Sequence, residues 1–478
     1  MTRRTHTLLL LPVLALSACA PLGPNYTRPT VTPPAAYRGA TVTPDQAKSI
    51  ADLPWFELFK EPELAALVRE ALDHNLDLLS AIARVEEFRG RAALAGADLK
   101  PFVGGSLSSS PQPTGGDIDN VYNAGLFFNW EIDFFGRLRR AAEAARAELL
   151  ASEDGSRAVM STVASGVAQG YVALRTLDEQ IEITRRNIQA QEASLKLVQT
   201  LAQGGVASST EVQQALTQLA STRAVLPRVE RQLVQVENQV SVLLGRAPRE
   251  VVRGTGPSAL PTVPDIPVGL PSQLLERRPD IRLAENQLRA AVARIGVAVA
   301  QKIPVPRIGL TASFGRISTS LDDFFQGGDK AENLLSFGGF FDIPFYDGGL
   351  GNARVRIAQA QAEQAALGYR SVILQSFREV ADALVTLDKI RQEIAENQIR
   401  FDASREYLRL TDLRYRGGVV SYLEVLDAQR QVFSAELDLS NSRLTQLLAV
   451  IDLYRALGGG WSDEELKKLG ERPATAVQ

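Results

Sequence analysis

Cysteine occurs once in these 478 residues, histidine twice, methionine twice and tryptophan three times. One cysteine, Cys19, cannot form a disulfide framework within the chain or a cysteine metal site. Beyond the first 18 residues the only histidine is His74, so a histidine-rich metal centre is excluded as well. Cys–His and His-based nucleophilic machinery lacks its parts, and no convergent motif of another kind points to catalysis. The net charge of −3 leaves no basic face of the kind that grips nucleic acid. No segment after the leader approaches 18 uninterrupted apolar residues, the minimum for a membrane-spanning helix.

What is present begins with a processing segment. Arg3 and Arg4 precede a short apolar run, Leu8 to Leu16, broken by Pro12. Leu16-Ser17-Ala18-Cys19 then supplies small residues before the lone cysteine. Residues 1–18 read as a lipoprotein signal peptide, too short and wrongly flanked to be a permanent anchor. Cys19 is the expected lipidation site, and several acyl chains anchor far better than one. Ala20 follows, with no aspartate to retain a lipoprotein at an inner membrane, so the expected address is the cell outer membrane. A membrane-targeted chain with no spanning helix must rest on the surface or cross as β-strands.

The chain then states one pattern twice. Gly204-Gly205-Val206-Ala207-Ser208-Ser209-Thr210-Glu211 restarts a helical pattern, and Gly417-Gly418-Val419-Val420-Ser421-Tyr422-Leu423-Glu424 repeats it 213 positions on. Pro101 is echoed by Pro304, and Ile132-Asp133-Phe134-Phe135 by Ile343-Pro344-Phe345-Tyr346. So long a period is not that of a solenoid. It predicts an internal two-fold repeat: residues 63–245 and 272–457, joined by a Pro-rich linker at 246–271. Residues 19–62 form an N-terminal arm and 458–478 a C-terminal tail.

Apolar spacing predicts a helix from Pro62 through Leu64, Leu67, Val68, Leu72, Leu76, Leu79, Ile82 and Val85, stopped by Pro101. Very long helices follow, from near Gly136 to Gln203 and from about Asn352 to Arg416. Each ends at a Gly-Gly pair suited to a left-handed cap. Partner helices return to about Leu244 and Leu457. Such helices need lateral partners, and on helix pattern alone a coiled-coil bundle fits.

The strands argue otherwise. Tyr122, Ala124, Leu126, Phe128, Trp130, Ile132 and Phe134 alternate with a mostly polar set. Ile308 to Phe314 and Leu335 to Phe345 alternate in the same way, and a weaker strand covers about 102–110. Segments 111–120 and 317–333 read as exposed hairpin loops. Tyr122, Leu126, Phe128 and Trp130 are the expected lipid-facing residues. Four strands cannot close a barrel, and open edges find no water in hydrocarbon. If these strands lie in the membrane, several chains must share one barrel, eight strands from two copies or twelve from three; a soluble hairpin pair packed on a helix also alternates in this way.

At this point the chain resembles the TolC-like outer membrane factor family, in its lipidated OprM/NodT branch of efflux channels. Cys19 with Gly23-Pro24-Asn25-Tyr26-Thr27-Arg28-Pro29 matches the branch's opening. Trp55-Phe56-Glu57-Leu58-Phe59, Glu61-Pro62-Glu63-Leu64 and Asn75-Leu76-Asp77-Leu78 match its first helix. Trp130 to Leu138, Arg278-Pro279-Asp280-Ile281 and Arg414 to Gln429 match internal motifs. The resemblance spans nearly the whole mature chain. It implies a mixed α+β membrane protein: a homotrimer whose 12-stranded outer-membrane β-barrel, four strands per chain, continues as a 12-helix periplasmic α-barrel. The arm, the linker and the tail would form an equatorial collar. The implied function is the passive exit duct of a tripartite efflux pump, RND-type above all, with a periplasmic adaptor and an inner-membrane transporter as partners.

The resemblance also assigns the far periplasmic tip. Gly204, Gly205, Val206, Gly417, Gly418 and Val419 would dock the adaptor. Leu423 matches an apolar constriction ring, and Tyr415 and Glu211 match positions whose polar contact helps hold the closed state. The arginine found in TolC at the position of Val420 is absent, so the latch would draw on Arg414 or Arg416. Glu424 and Asp427 share a helix face and would form acidic rings in a trimer, able to hold an adventitious cation. No cofactor other than the lipid on Cys19 is expected. Two other readings stay open: a type I secretion channel, and a lipid-anchored periplasmic coiled-coil scaffold without membrane strands.

Overall fold

The computed structural model describes residues 21–34, 37–38, 61–114, 117–254, 274–302 and 304–470. Cys19, the signal segment, the Trp55–Phe59 motif, residues 255–271 of the linker and residues 471–478 of the tail lie outside them. The chain divides into two compact units. The first comprises residues 1–31, 84–153 and 283–371, and the second 32–83, 154–282 and 372–478.

In chain order the elements are α1 (Pro62–His74), α2 (Leu76–Ala97), β1 (Phe102–Thr114), β2 (Asp117–Ile132), α3 (Arg137–Gln203) and α4 (Ser209–Leu243). Then come α5 (Leu274–Arg277), α6 (Pro279–Ala300), β3 (Arg307–Ser318), α7 (Leu321–Gln326), β4 (Ala331–Asp342), α8 (Leu350–Arg416), α9 (Tyr422–Ala456) and α10 (Asp463–Gly470). α3 and α8 each have 67 residues, about 100 Å at 1.5 Å per residue. α4 and α9 each have 35. Six of the ten positive-φ glycines among the described residues fall in pairs 213 positions apart: Gly136 with Gly349, Gly205 with Gly418, Gly245 with Gly458.

The first unit holds a four-stranded antiparallel sheet in the order β1-β2-β3-β4. Its register gathers the alternating residues onto one face. Leu126 stands opposite Gly105 and Phe314, Phe128 opposite Val103 and Ala312, and Trp130 opposite Leu310. Phe314 in turn faces Leu335, and Ala312 faces Phe337. This face is exposed in the single chain: Leu107 at 80%, Phe337 at 78% and Leu335 at 63%. The reverse face carries Ser106, Ser108, Asn123, Asn129, Thr311, Ser313 and Ser336 in register. Its few aromatics lie over glycines. The Phe127 ring covers Gly104 and stands 5.8 Å from the Phe102 ring, and Phe340 covers Gly309. An added Cβ at either glycine would collide with the ring, so these pairs fix the register as aromatic-over-glycine ladders do.

Four boundaries differ from the sequence expectation. The hairpin loops are shorter. β1 pairs on through Pro111 and Pro113 to Thr114, opposite Asp117, which an edge strand tolerates because one side of its backbone needs no partner. The 317–333 segment contains α7, with Ser320 as its N-cap. β2 stops at Ile132 rather than Phe135 because Asp133 serves the next helix. Its carboxylate accepts the Leu138 N–H at 3.1 Å and the Arg139 N–H at 2.8 Å, satisfying two of α3's orphan donors. β4 likewise stops at Asp342, leaving Phe345 and Tyr346 exposed outside the sheet.

The arm is anchored in the first unit. Pro21 lies against Gly136, and the Leu22 N–H donates to Phe135 O at 3.0 Å. Arg140 donates to Leu22 O and, at 2.7 Å, to Asn25 Oδ1. Tyr26 and Arg28 both donate to the Glu285 carboxylate. Gly23 and Gly296 are in backbone contact. The opening motif of the resemblance is therefore a docking strap.

The second unit holds the main hydrophobic core, built from Leu67, Val68, Tyr171, Val172, Val380, Val450 and Leu453 among others. Arg278 closes it, with bonds to Asp280, Glu379 at 2.8 Å and the Ala456 carbonyl at 2.8 Å at the end of α9. α4 runs through Pro227, although an interior proline costs a helix about 3 kcal/mol. Thr222 and Val229 are buried on either side of it, and that packing carries the helix across.

The first helix is two helices. Asn75 is the hinge: its side chain accepts the Leu78 N–H at 3.0 Å, capping α2, and donates to Leu243 O at 2.9 Å. It is buried at 3% exposure. Replacing Asn75 with alanine should cost roughly 1–2 kcal/mol, the loss of one cap and one buried bond. Asn75→Asp keeps the acceptor and should lose less. Thermal unfolding of the detergent-solubilised protein, followed by circular dichroism, checks the order wild type, aspartate, alanine.

Candidate functional site

The two glycine tips have the same backbone. After α3, the Gly205 N–H donates to Ala202 O at 3.0 Å and the Val206 N–H to Leu201 O at 2.9 Å. After α8, Gly418 donates to Tyr415 O at 2.9 Å and Val419 to Arg414 O at 2.9 Å. This is the paired bonding that ends a helix on a left-handed residue. Gly205 has φ +76° and Gly418 +72°, and an added Cβ at either would meet open space. Backbone conformation alone calls for glycine there. Val206 and Val419 follow at 78% and 68% exposure, so each tip presents an apolar side chain outward.

Beneath the tips lies a small second core of Val198, Ala215, Tyr422, Val425 and Leu426, with Leu195, Val212, Leu408 and Tyr415 against it. Tyr422 is fully enclosed, and its hydroxyl shares a 3.0 Å hydrogen bond with Ser194. The Tyr415 and Tyr422 rings stand 5.2 Å apart, tilted by 53°. Burial pushes the ionisation of both phenols up, and the nearby Glu211 charge adds to it. Both therefore remain neutral hydrogen-bonding groups at physiological pH.

Glu211 sits near Tyr415 without bonding it. Its carboxylate accepts the Ser208 N–H at 3.0 Å while Ser208 Oγ accepts the Glu211 N–H at 3.3 Å. This is a closed capping box, a reciprocal satisfaction of two orphan donors. The expected polar contact between Tyr415 and Glu211 is thus an electrostatic neighbourhood in the single chain, because the carboxylate is occupied locally. The second half has the same Ser-x-x-Glu spelling at Ser421 and Glu424, yet Ser421 makes no side-chain cap bond. Glu424 is left uncommitted on the first turn of α9.

α9 divides its first turns by face. Tyr422, Val425 and Leu426 turn into the core. Leu423 is 54% exposed, and Glu424 and Asp427 are half-buried. Asp427 accepts from Gln431 Nε2 at 2.6 Å. The two arginines proposed for the latch separate: Arg416 pairs with Asp412 at 2.9 Å on its own helix, whereas Arg414 is exposed. Among the described residues no three His, Cys, Asp or Glu side chains stand together as a metal set.

The candidate lipid face belongs to the first unit. Tyr122, Leu126, Phe128 and Trp130 share one side of β2, and the Trp130 indole N–H donates to Leu99 O at 3.2 Å. A tryptophan that is apolar in body and tethered at its polar edge suits a membrane–water boundary. No helix among the described residues is long and apolar enough to cross a membrane. The signals missed in the sequence were the helix-capping roles of Asn75 and Asp133 and the different use of Glu211 and Glu424.

Comparison with known proteins gives a consistent picture. A family model described as outer membrane efflux protein matches residues 67–246 and 270–459. The outer membrane protein OprJ of Pseudomonas aeruginosa is 34% identical over 464 residues, 95% of each chain. The probable outer membrane lipoprotein SilC of Salmonella typhimurium is 33% identical, covering 94% of this chain and 97% of its own. Among solved structures, the outer-membrane channel OprN superposes with a TM-score of 0.85 at 29% identity, covering 92% of this chain and all of the other.

The capping contrast is testable. Glu211→Ala should expose the Ser208 amide and accelerate its hydrogen exchange severalfold, with about 1 kcal/mol lost locally. Glu424→Ala should leave exchange at Ser421 unchanged. Amide exchange read by mass spectrometry on the two tip peptides checks both.

Proposed function

The chain belongs to the outer membrane efflux protein family, and from that premise we propose that three copies form one continuous exit duct for a tripartite efflux pump. The family consists of transporters rather than enzymes and resides in the cell outer membrane. The reading is carried by one observation: a four-stranded sheet with an exposed apolar face and two open edges, at β1 and β4. Twelve strands from three copies would close those edges. The apolar face would meet lipid, and the Ser/Asn/Thr face would line the lumen. At about 3.4 Å per residue, a twelve-residue strand tilted near 45° spans roughly 29 Å, close to the hydrocarbon thickness.

The paired long helices of each copy, two equal halves per chain, would continue the wall as twelve helices. Cys19 would carry the lipid, a reading supported by the relative described as a lipoprotein. Pro21, seated against Gly136 close to the end of β2, holds the arm where such an anchor would reach the bilayer.

At the tips, Leu423 from three copies would form the apolar constriction, with Glu424 and Asp427 as acidic rings able to hold a cation. All three lie on the face of α9 that the chain's own core leaves unused. Tyr415 and Glu211 would brace that helix from behind. Gly204, Gly205, Val206, Gly417, Gly418 and Val419 would present compact apolar tips to a periplasmic adaptor. An inner-membrane transporter of the RND class would supply the energy, and the cargo would be small molecules.

Glu424→Ala combined with Asp427→Ala should raise single-channel conductance in planar bilayers and weaken cation preference. Unchanged conductance and selectivity would remove both residues from the gate. The shared barrel predicts an oligomer in mild detergent that runs as a single chain only after heating, and a chain that migrates identically with and without heating would exclude it.

A further inference from the structure

The first unit contains a hollow of about 300 Å³ on the flank of α3, at the small end of the range for ligand sites. Its floor is apolar: Leu99, Ala142, Ala147 and Leu150. Its rim is cationic, with Arg139, Arg146 and Arg289. The acidic groups nearby are already engaged. Glu143 pairs with Arg140 at 2.7 Å, Glu285 with Arg28 at 2.6 Å and Arg289 at 3.2 Å, and Asp133 with Arg139. Two donors remain. Arg146 has no acceptor among the described residues, and Arg289 Nε is buried without one. The hollow is a cation in search of an anion, beside a surface that suits hydrocarbon.

Its position says which anion. Leu99, on the floor, is the residue whose carbonyl holds the Trp130 indole, at the end of the apolar sheet face. α3 begins five residues after β2 ends, and helical side chains lean toward the helix N-terminus. Arg139 and Arg146 therefore lean toward the strands, at the level where hydrocarbon gives way to headgroups. The geometry points to a headgroup site for an anionic phospholipid: the phosphodiester bonds Arg146 and Arg289, and the glycerol and first methylenes lie on Ala147 and Leu150. A phosphate on arginine forms charge-assisted bonds, and basic pockets beside spanning segments hold anionic lipid heads elsewhere. Three such sites would pin a trimer's depth in the bilayer.

The inference rests on the sheet face meeting lipid, and the test separates the two. The full-length lipidated oligomer in mild detergent is titrated with phosphatidylglycerol or phosphatidylcholine, and retained lipid is counted by native mass spectrometry. Wild type should retain phosphatidylglycerol over phosphatidylcholine. Arg146→Glu, on an exposed position, should retain at least about tenfold less, a change of roughly 1.4 kcal/mol, while Arg146→Lys keeps part of it. Equal retention by wild type and Arg146→Glu, when both insert and conduct alike, overturns the headgroup site and leaves the channel intact. Displacement of the lipid by equimolar inorganic phosphate overturns it too, because a free-anion site needs no membrane. Failure of wild type to insert into bilayers would overturn the channel reading and this site together.

Discussion

The governing constraint is the hydrogen-bonding debt of two strand edges. Within one chain, β1 and β4 end the sheet with a row of N–H and C=O groups facing outward. In water such an edge is a hazard, and in hydrocarbon each unmet group costs several kcal/mol. The exposed apolar face forbids the first environment, and the open edges forbid a lone chain in the second. Assembly with other copies meets both requirements at once. In the proposed assembly, Pro111 and Pro113 near the end of β1, which lack an N–H, would stop that pairing.

The two halves share helix lengths and tip geometry but differ in how their tips are capped. α3 and α8 are equal in length, and their Schellman-type ends are bonded alike. Yet Glu211 is consumed by its own helix terminus, while Glu424 at the matching place is not. A local cap stabilises a tip and withdraws the carboxylate from other work. Leaving the second box open forgoes about 1 kcal/mol and keeps a charge available on the face that also carries Leu423 and Asp427. In the proposed channel, the first half would thereby supply a static brace and the second a gate.

Within each unit, arginines do the fastening. Arg140 gathers the arm, Arg278 closes the main core against the end of α9, and Arg253 ties Asp178 to Glu237. The planar guanidinium suits this, since it can serve several acceptors from one buried position. Asn25, Tyr26 and Arg28 in the arm and Arg278 with Asp280 are joints of this kind.

The sequence by itself determined the long helices, the alternating strands and the glycine tips. Each is written in local periodicity or in positive-φ glycine. Only the tertiary structure decided where those elements end and which carboxylates are free. Asn75 splits a helix because Leu243 lies beside it, Asp133 ends a strand by capping the next helix, and Pro227 sits inside a helix because packing carries it. These outcomes depend on partners far apart in the chain, or on a local competition for one side chain, and periodicity contains neither.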